Sequence, residues 1–338
     1  MLLFAQFSFA QNPPRSVLDF NSHWKFLLGN DSTAIHADYD DAKWRTLNLP
    51  HDWSIEDNFA ANNSTTTQGG ALPAGIGWYR KTFTLPVSAK NKNVSIEFDG
   101  VYRNSEVWIN GHYLGKRPNG YISFQYDLTP YIKPAPGKNI MVVKVDNSKQ
   151  PNSRWYTGSG IYRNVKLVLN SMVAAVAHWR THITTYDITS KEAWVNIVTV
   201  LHSSTKDEKS VSLRTIIFDA SGKRVAGDEE VAGSRLRFTG SRMQHNYSTN
   251  IFDPKLWSVN RPYLYKAVTQ VIHRGKIIDE SVARFGIRYF NFDSEKGFSL
   301  NGRPFKIHGV CMHHDLGALG SAFNKTAAGR QLHLLKKM

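Results

Sequence analysis

Cysteine is nearly missing from this sequence. Cys311 is the only one, so no intramolecular disulfide can form, and stability has to come from buried apolar area instead. Long apolar runs are missing too: nothing approaches the roughly 20 residues of a membrane-spanning helix. Acidic residues are scarce, with 27 Asp and Glu against 42 Lys and Arg, giving a net charge of +15. That excess invites a nucleic-acid reading. The basic residues, however, are spaced singly through alternating segments and never gather into a long block, which argues against a nucleic-acid partner. Aromatic residues are plentiful, with nine Trp and fourteen Tyr at a hydrophobic content of 41%, which argues against disorder. At 338 residues the chain can hold two or three domains, each with its own core.

The first ten residues, Met1 to Ala10, are mostly apolar, and Gln11 and Pro13-Pro14 follow. This resembles the end of a secretory signal peptide cleaved near Ala10, although the basic n-region is missing, so an exported protein, periplasmic or extracellular, is expected. The next stretch, residues 11–171, consists of short strands separated by turns. Val94 to Gly100 alternates apolar and polar, as a half-buried strand does. Glu106 to Ile109 and His112 to Gly115 flank Asn110-Gly111, whose residue types suit the two positive-φ positions of a type I′ hairpin turn. Ile140 to Val145 and Val165 to Leu169 supply further strands. No helical period of useful length occurs here, so the reading is a β-sandwich of the jelly-roll kind. Two long polar loops, 58–77 and 147–160, interrupt it, and loops of that length in a compact domain tend to be functional or disordered.

Residues 172–288 form a second all-β stretch. Its clearest strands are Ala193 to Leu201, Val211 to Phe218 and Lys266 to Ile272, with Asp219 to Gly222 as a turn. Its length and turn spacing fit an immunoglobulin-like sandwich. It carries no candidate catalytic cluster and reads as a spacer. A further hairpin follows, with Asn301-Gly302 at its turn.

Residues 289–338 change character. Arg303 to Asp315 places Phe305, Ile307 and Val310 in what reads as a buried strand, opens into His313, His314 and Asp315, and leads through Gly317 and Gly320 to a helix from about Asn324. A (β/α)₈ barrel delivers polar side chains to its site in this way, at the C-terminal ends of its strands. The expectation is therefore the first strand and helix of a barrel that this chain leaves incomplete. Cys311, His313, His314 and Asp315 also have the composition of a metal site. In an extended strand, though, His314 points away from Cys311 and His313, and a fourth ligand would have to come from elsewhere; no metal is expected there.

Several segments taken together carry a family resemblance: Leu49-Pro50-His51-Asp52-Trp53, Gly77-Trp78-Tyr79-Arg80-Lys81, Phe98-Asp99-Gly100-Val101, Val107-Trp108-Ile109-Asn110-Gly111, Arg154 to Arg163, Phe285-Gly286-Ile287-Arg288 and the 303–320 stretch. In this order the chain resembles the N-terminal part of glycoside hydrolase family 2, which holds β-galactosidases, β-glucuronidases and β-mannosidases. The wording at 313–320 is most like bacterial β-galactosidases. The resemblance implies a sugar-binding jelly roll, an immunoglobulin-like domain and then a catalytic barrel. It implies no organic cofactor and leaves open a metal ion in the rest of the barrel. The implied partner is a carbohydrate, a β-galactoside, and the oligomeric state is left undetermined.

Similar enzymes place a histidine just past the first barrel strand, where it contacts sugar hydroxyls. His313 matches it, and the alternative is a histidine satisfied by neighbouring groups at the barrel mouth. His314 and Asp315 read as supporting residues. Arg154 and Trp155 lie in the loop that reaches the sugar pocket in such enzymes. Either they bind and stack on the sugar, or they lock the jelly roll to the barrel. Familiar galactosidases carry an acidic residue near this point, whereas this chain reads Asn152-Ser153-Arg154. Asp52-Trp53 and Trp78-Tyr79 read as structural corners and core. The resemblance puts both catalytic glutamates on later barrel strands, beyond Met338, so no catalytic residue is expected in this chain. A non-catalytic carbohydrate-binding protein of two β-sandwiches is the rival reading, and a β-glucuronidase or β-mannosidase of the same family is another.

Overall fold

The computed structural model describes residues 13–205, 207–227 and 235–338. The expected leader at residues 1–10 lies outside the described residues. The chain divides into two compact units: Val17–Leu169 with Cys311–Met338, and Asn170–Val310 with residues 13–16.

The first unit contains strands β1 (Ser16–Asp19), β2 (Trp24–Leu28), β3 (Arg45–Leu47), β4 (Gly75–Thr84), β5 (Lys92–Phe98), β6 (Ser105–Ile109), β7 (His112–Arg117), β8 (Phe124–Asp127), β9 (Lys138–Asn147) and β10 (Val165–Ser171). They form a four-stranded sheet in the order β1-β10-β5-β8 and a six-stranded sheet in the order β3-β2-β4-β9-β6-β7. Period-2 alternation decides which side chains enter the core. On β4, Tyr79 joins a cluster with Trp24, Phe26, Val107, Met141, Val143 and Leu167. Its neighbour Trp78 faces the other way, against Trp44, Trp108 and Val142. Arg80, also on that outer face and buried, is neutralised by Asp41 at 3.0 Å and donates to the carbonyls of Ala34 and His36. The six-stranded sheet is therefore covered on both faces. Trp53, Trp78 and Tyr79 are buried, as corner and core residues should be.

Asn110 (φ 50°) and Gly111 (φ 83°) form the β6–β7 turn. The strand expected over 94–100 is half-buried toward its end, where Ile96 and Phe98 are buried and Glu97 and Asp99 only partly so, but at its start Ser95, and Asn93 just before the stretch, are buried as well. Its polar side chains are satisfied across the sheet: Gln125 donates to Ser95 Oγ at 2.8 Å, and Thr129 donates to Asn93 Oδ1 at 2.8 Å.

The second unit contains β11 (Ala175–Tyr186), β12 (Glu192–His202), β13 (Lys209–Phe218), β14 (Arg224–Gly227), β15 (Arg235–Phe238), β16 (Arg242–Phe252), β17 (Tyr265–His273), β18 (Lys276–Phe285), β19 (Phe290–Asp293), β20 (Gly297–Leu300) and β21 (Arg303–Pro304). A three-stranded sheet, β11-β12-β16, and a sheet ordered β14-β13-β17-β18, with β15 also on β13, make the sandwich. Val195, Ile197, Ile217, Ala267 and Phe285 fill it. Asp279, fully buried, takes Arg15 Nε and Nη2 at 2.9 Å each and the Val176 amide at 2.7 Å. β19, β20 and β21 form a small separate sheet.

The strand expected over 303–315 is confined to Arg303–Pro304. Ile307 and Val310 are 66% and 65% exposed. A buried parallel strand draws ladder partners from strands on both sides; here the last ladder bond is from the Phe305 amide to the Phe298 carbonyl at 2.9 Å, and among the described residues no strand pairs with 306–313. The helix α1 (Lys325–Lys337) forms as expected. Asn324 caps it by accepting from the Ala327 amide at 3.0 Å, and none of its residues is buried. Among the described residues no helix is long and apolar enough to cross a membrane.

Candidate functional site

Pro50 restricts the chain before His51-Asp52, and Asp52 adopts an extended conformation (φ −133°, ψ 106°). There its carboxylate caps the 3₁₀ turn Trp53–Glu56 by accepting from Ser54 N at 3.0 Å. The same carboxylate takes four more donors. Ser159 N lies at 2.9 Å, Ser321 N at 2.8 Å and Ser321 Oγ at 2.9 Å, and the Tyr156 hydroxyl completes the set. Asp52 is 2% exposed. Buried charge is tolerated only with such a set of donors. Burial, with the Asp52 charge second, raises the Tyr156 pKa far above the usual phenol range, so its hydroxyl stays a donor.

Asp52 thus joins three stretches of one unit: the corner at 50–54, the loop at 156–159 and the turn at 320–321. Close approach demands glycine. A Cβ on Gly158 (φ +66°) would lie 2.0 Å from Ser321 Oγ, and one on Gly320 (φ +54°) would lie 2.5 Å from Asp52 Oδ2. The base of the loop is held by Asn147, fully buried, which donates to Ser159 Oγ at 2.8 Å and accepts from Asn152 at 2.7 Å. Behind Asp52, buried His51 bridges Tyr79 Oη (2.7 Å) and Glu56 Oε1 (3.0 Å).

On this base sit the two histidines. The Nε2 of His314 lies 2.9 Å from the Thr157 carbonyl, which fixes the proton on that nitrogen. Its ring lies between Tyr162 (5.1 Å) and Tyr121 (5.5 Å, edge-on), and burial pushes its pKa below the ordinary histidine value. His313 is exposed and meets Trp155 edge-to-face, with centroids 5.3 Å apart. Trp155, 41% exposed, donates to Tyr121 Oη at 3.4 Å. Tyr121 in turn packs on Tyr102 at 5.3 Å, and burial raises the Tyr102 and Tyr162 phenols to about 12.

The result is an exposed rim of Tyr121, Trp155 and His313 over a floor of His314, Tyr162 and Tyr102. Flat rings take the C–H face of a sugar, and an imidazole and phenols can donate to or accept from its hydroxyls.

The structure therefore brings His313 and Trp155 together and sets His314 beneath them as an anchored residue. Asp315 accepts from Gly317 N at 2.9 Å and shapes its own turn. Arg154 is exposed and makes no hydrogen bond or ion pair among the described residues. No three His, Cys, Asp or Glu side chains among the described residues converge on a metal position, and Cys311 is exposed. Tyr121, Tyr156 and Ser321 were missed by sequence reasoning. Asp52 was read only as a corner, because a lone Asp before Trp carries no sign of partners more than 100 residues away.

The profile "Glycosyl hydrolases family 2, sugar binding domain" matches residues 17–171, and "Glycosyl hydrolases family 2" matches residues 176–288. The chain belongs to glycoside hydrolase family 2. This family 2 chain is 46% identical over 325 residues to a β-galactosidase of Bacteroides ovatus, covering 96% of the chain and 38% of that protein. It is 33% identical to a β-glucuronidase of Formosa agariphila, over 87% of the chain and 32% of that protein. The crystal structure of a β-glycosidase from Bacteroides vulgatus matches with a TM-score of 0.86 at 41% identity, over 95% of the chain and 40% of that structure. The chain thus spans two fifths or less of the length of these relatives.

Proposed function

We propose that this family 2 chain is the N-terminal portion of an exported, retaining exo-glycosidase that removes terminal β-linked sugars, with β-galactosides as its substrates. The observation that carries the reading is the exposed Trp155–His313 pair at 5.3 Å, set on a base in which every named carboxylate is already engaged. Such a rim binds and orients a neutral sugar but cannot cleave it. A retaining mechanism needs two carboxylates about 5 Å apart, one as acid/base and one as nucleophile. The two carboxylates beside the rim are engaged, Asp52 by five donors and Asp315 in its own turn, and the family resemblance puts both catalytic glutamates on later barrel strands of a longer polypeptide. In that enzyme His313 holds a sugar hydroxyl and tightens on it as the ring distorts toward the transition state.

A nitrophenyl β-galactoside assay tests this. The 338-residue chain gives no turnover above buffer and binds galactose no tighter than about millimolar, as suits half a pocket. In the full-length enzyme, His313→Ala lowers kcat/KM by about 10²-fold, or about 2.7 kcal/mol. Turnover by the isolated chain, or an unimpaired His313→Ala enzyme, refutes the assignment.

A second reading, β-glucuronidase, is favoured by one feature: Arg154 stands exposed beside Trp155 with no ion pair among the described residues. A guanidinium there suits a uronate carboxylate. If glucuronide is the substrate, Arg154→Ala in the full-length enzyme selectively lowers glucuronide turnover. If galactoside is the substrate, the change leaves the galactoside-to-glucuronide ratio high.

A further inference from the structure

The immunoglobulin-like unit has a concavity at one end of its larger sheet, between the turn after β13, the loop before β17 and the end of β18. Its volume is about 540 Å³, and its lining includes Arg261, Tyr263, Lys266, Arg284 and Asp219. That size falls in the range of small-molecule sites, roughly 300–1,000 Å³.

The charges here are arranged unlike those elsewhere on the same sheet face. Four residues along the strands, Arg214, Gln270 and Glu280 lie side by side across β13, β17 and β18. They form a closed chain: Arg214 Nε and Nη2 donate to Gln270 Oε1 at 2.9 and 2.6 Å, and Gln270 Nε2 donates to Glu280 Oε2 at 2.8 Å. The matching row in the concavity is Phe218, Lys266 and Arg284. It sets two cations directly opposite each other on adjacent strands, and among the described residues neither has a carboxylate partner. Directly opposed like charges destabilise a sheet.

A third cation, Arg261, lies 6.0 Å from the Tyr263 ring, and Lys255 lies 5.2 Å from it. Lys266 is held 4.9 Å over Phe218. The one acid in the lining, Asp219, is turned to its own loop, where Oδ1 accepts from Ser221 N, Ser221 Oγ and Lys223 N at 2.9, 2.6 and 3.0 Å.

We propose that this concavity binds an anionic saccharide, a sugar unit bearing a carboxylate or a sulfate ester. Its oxyanion would bridge Lys266 and Arg284 and so relieve their opposition, with Arg261 closing the loop side. The body of the sugar would lie along Pro262, Leu264 and the tyrosines. A bare inorganic anion would satisfy the charges but leave the apolar half of the lining unused.

Calorimetric titration of the 338-residue chain tests this with four probes: galactose 6-sulfate, galacturonate, inorganic sulfate and galactose. At least one of the two anionic sugars is expected to bind at least tenfold more tightly than either inorganic sulfate or galactose, and the binding should weaken as NaCl is raised. Which anionic sugar binds more tightly identifies the oxyanion. The double variant Lys266→Ala/Arg284→Ala should lose at least tenfold in affinity with an unchanged thermal midpoint or a raised one. Should that variant not fold, Arg261→Ala on the loop takes its place, with a loss of at least threefold expected. Equal binding of inorganic sulfate, equal binding of galactose, failure of both anionic sugars to bind, or variants that bind as well as the parent each overturn the proposal. The Lys266, Arg284 and Arg261 substitutions leave the residues of the Trp155–His313 rim unchanged, so binding that they abolish belongs to this concavity and binding that they leave intact belongs elsewhere.

Discussion

Replacing Asp52 by alanine isolates what one buried carboxylate contributes. The change removes the acceptor for Ser54 N, Ser159 N, Ser321 N, Ser321 Oγ and the Tyr156 hydroxyl. A hydrogen bond to a charged group contributes about 1.5–3 kcal/mol net, so simple addition over five donors gives roughly 7–15 kcal/mol. That sum is as large as the whole stability of a domain, about 5–15 kcal/mol. Bonds that share one acceptor are not additive, and water entering the small space left by the side chain re-satisfies some donors. The scale of a broken buried polar network, about 3–5 kcal/mol, is the better figure. With a urea slope of about 3 kcal/mol/M, the midpoint of this unit should fall by more than about 1 M. Hydrogen exchange at Ser159 and Ser321 should accelerate by at least about 10²-fold, since their amides lose a common partner. Asp52→Asn keeps one oxygen acceptor and replaces the other with a donor, and should lose about 2 kcal/mol. A cost below about 1 kcal/mol for Asp52→Ala, with the Ser321 amide still protected, would show that these contacts do not hold the three segments together.

Other outcomes follow from the same structure. Burial holds His51 and His314 below their ordinary pKa, so the unfolded chain binds protons at these sites before the folded chain does. Their contribution is complete above about 6.5 and is lost as pH falls below it. The melting temperature should therefore drop from pH 7 to pH 5.5, and by less in His314→Gln. Gly158→Ala combines a left-handed backbone with a 2.0 Å clash and should cost about 2–4 kcal/mol in urea denaturation. Asp279→Ala leaves Arg15 and the Val176 amide without their buried acceptor and should cost about 3–5 kcal/mol, read from the second unit's unfolding transition. Exposed Cys311 should react with a thiol reagent in the native protein at the rate of an unfolded control.

The sequence disclosed the strands with clear alternation and the turns that demand positive φ, because both are local. Asn110-Gly111 and Asn301-Gly302 turn where expected, and Asn324 caps the helix that follows it. Burial of the polar edge of β5 was not legible, since it depends on Gln125 and Thr129 in a paired strand and its flank. The stretch at 305–313 reads as a strand by composition, yet a parallel strand exists only through its neighbours. At the candidate site, His313 and Trp155 could be named from the sequence. Their meeting at 5.3 Å, and the shared carboxylate below them, are products of the tertiary fold.

The way residues 311–323 are fastened has a consequence for the site. They are attached mainly by directional contacts: Ser321 on Asp52, His314 on the Thr157 carbonyl, the Phe323 amide on the Tyr162 carbonyl at 2.9 Å, and the Arg163 guanidinium 5.0 Å over the Phe323 ring. A greasy joint would let the segment slide by an ångström at little cost, because apolar burial has no preferred direction. Hydrogen bonds to a buried acceptor lose most of their strength within such a shift. The segment should therefore behave as a latch with a closed and an open position and little between. His313 is then either at its distance from Trp155 or away from it, and under the proposed sugar-binding role the affinity of the rim would be set by the fraction of molecules in the closed position.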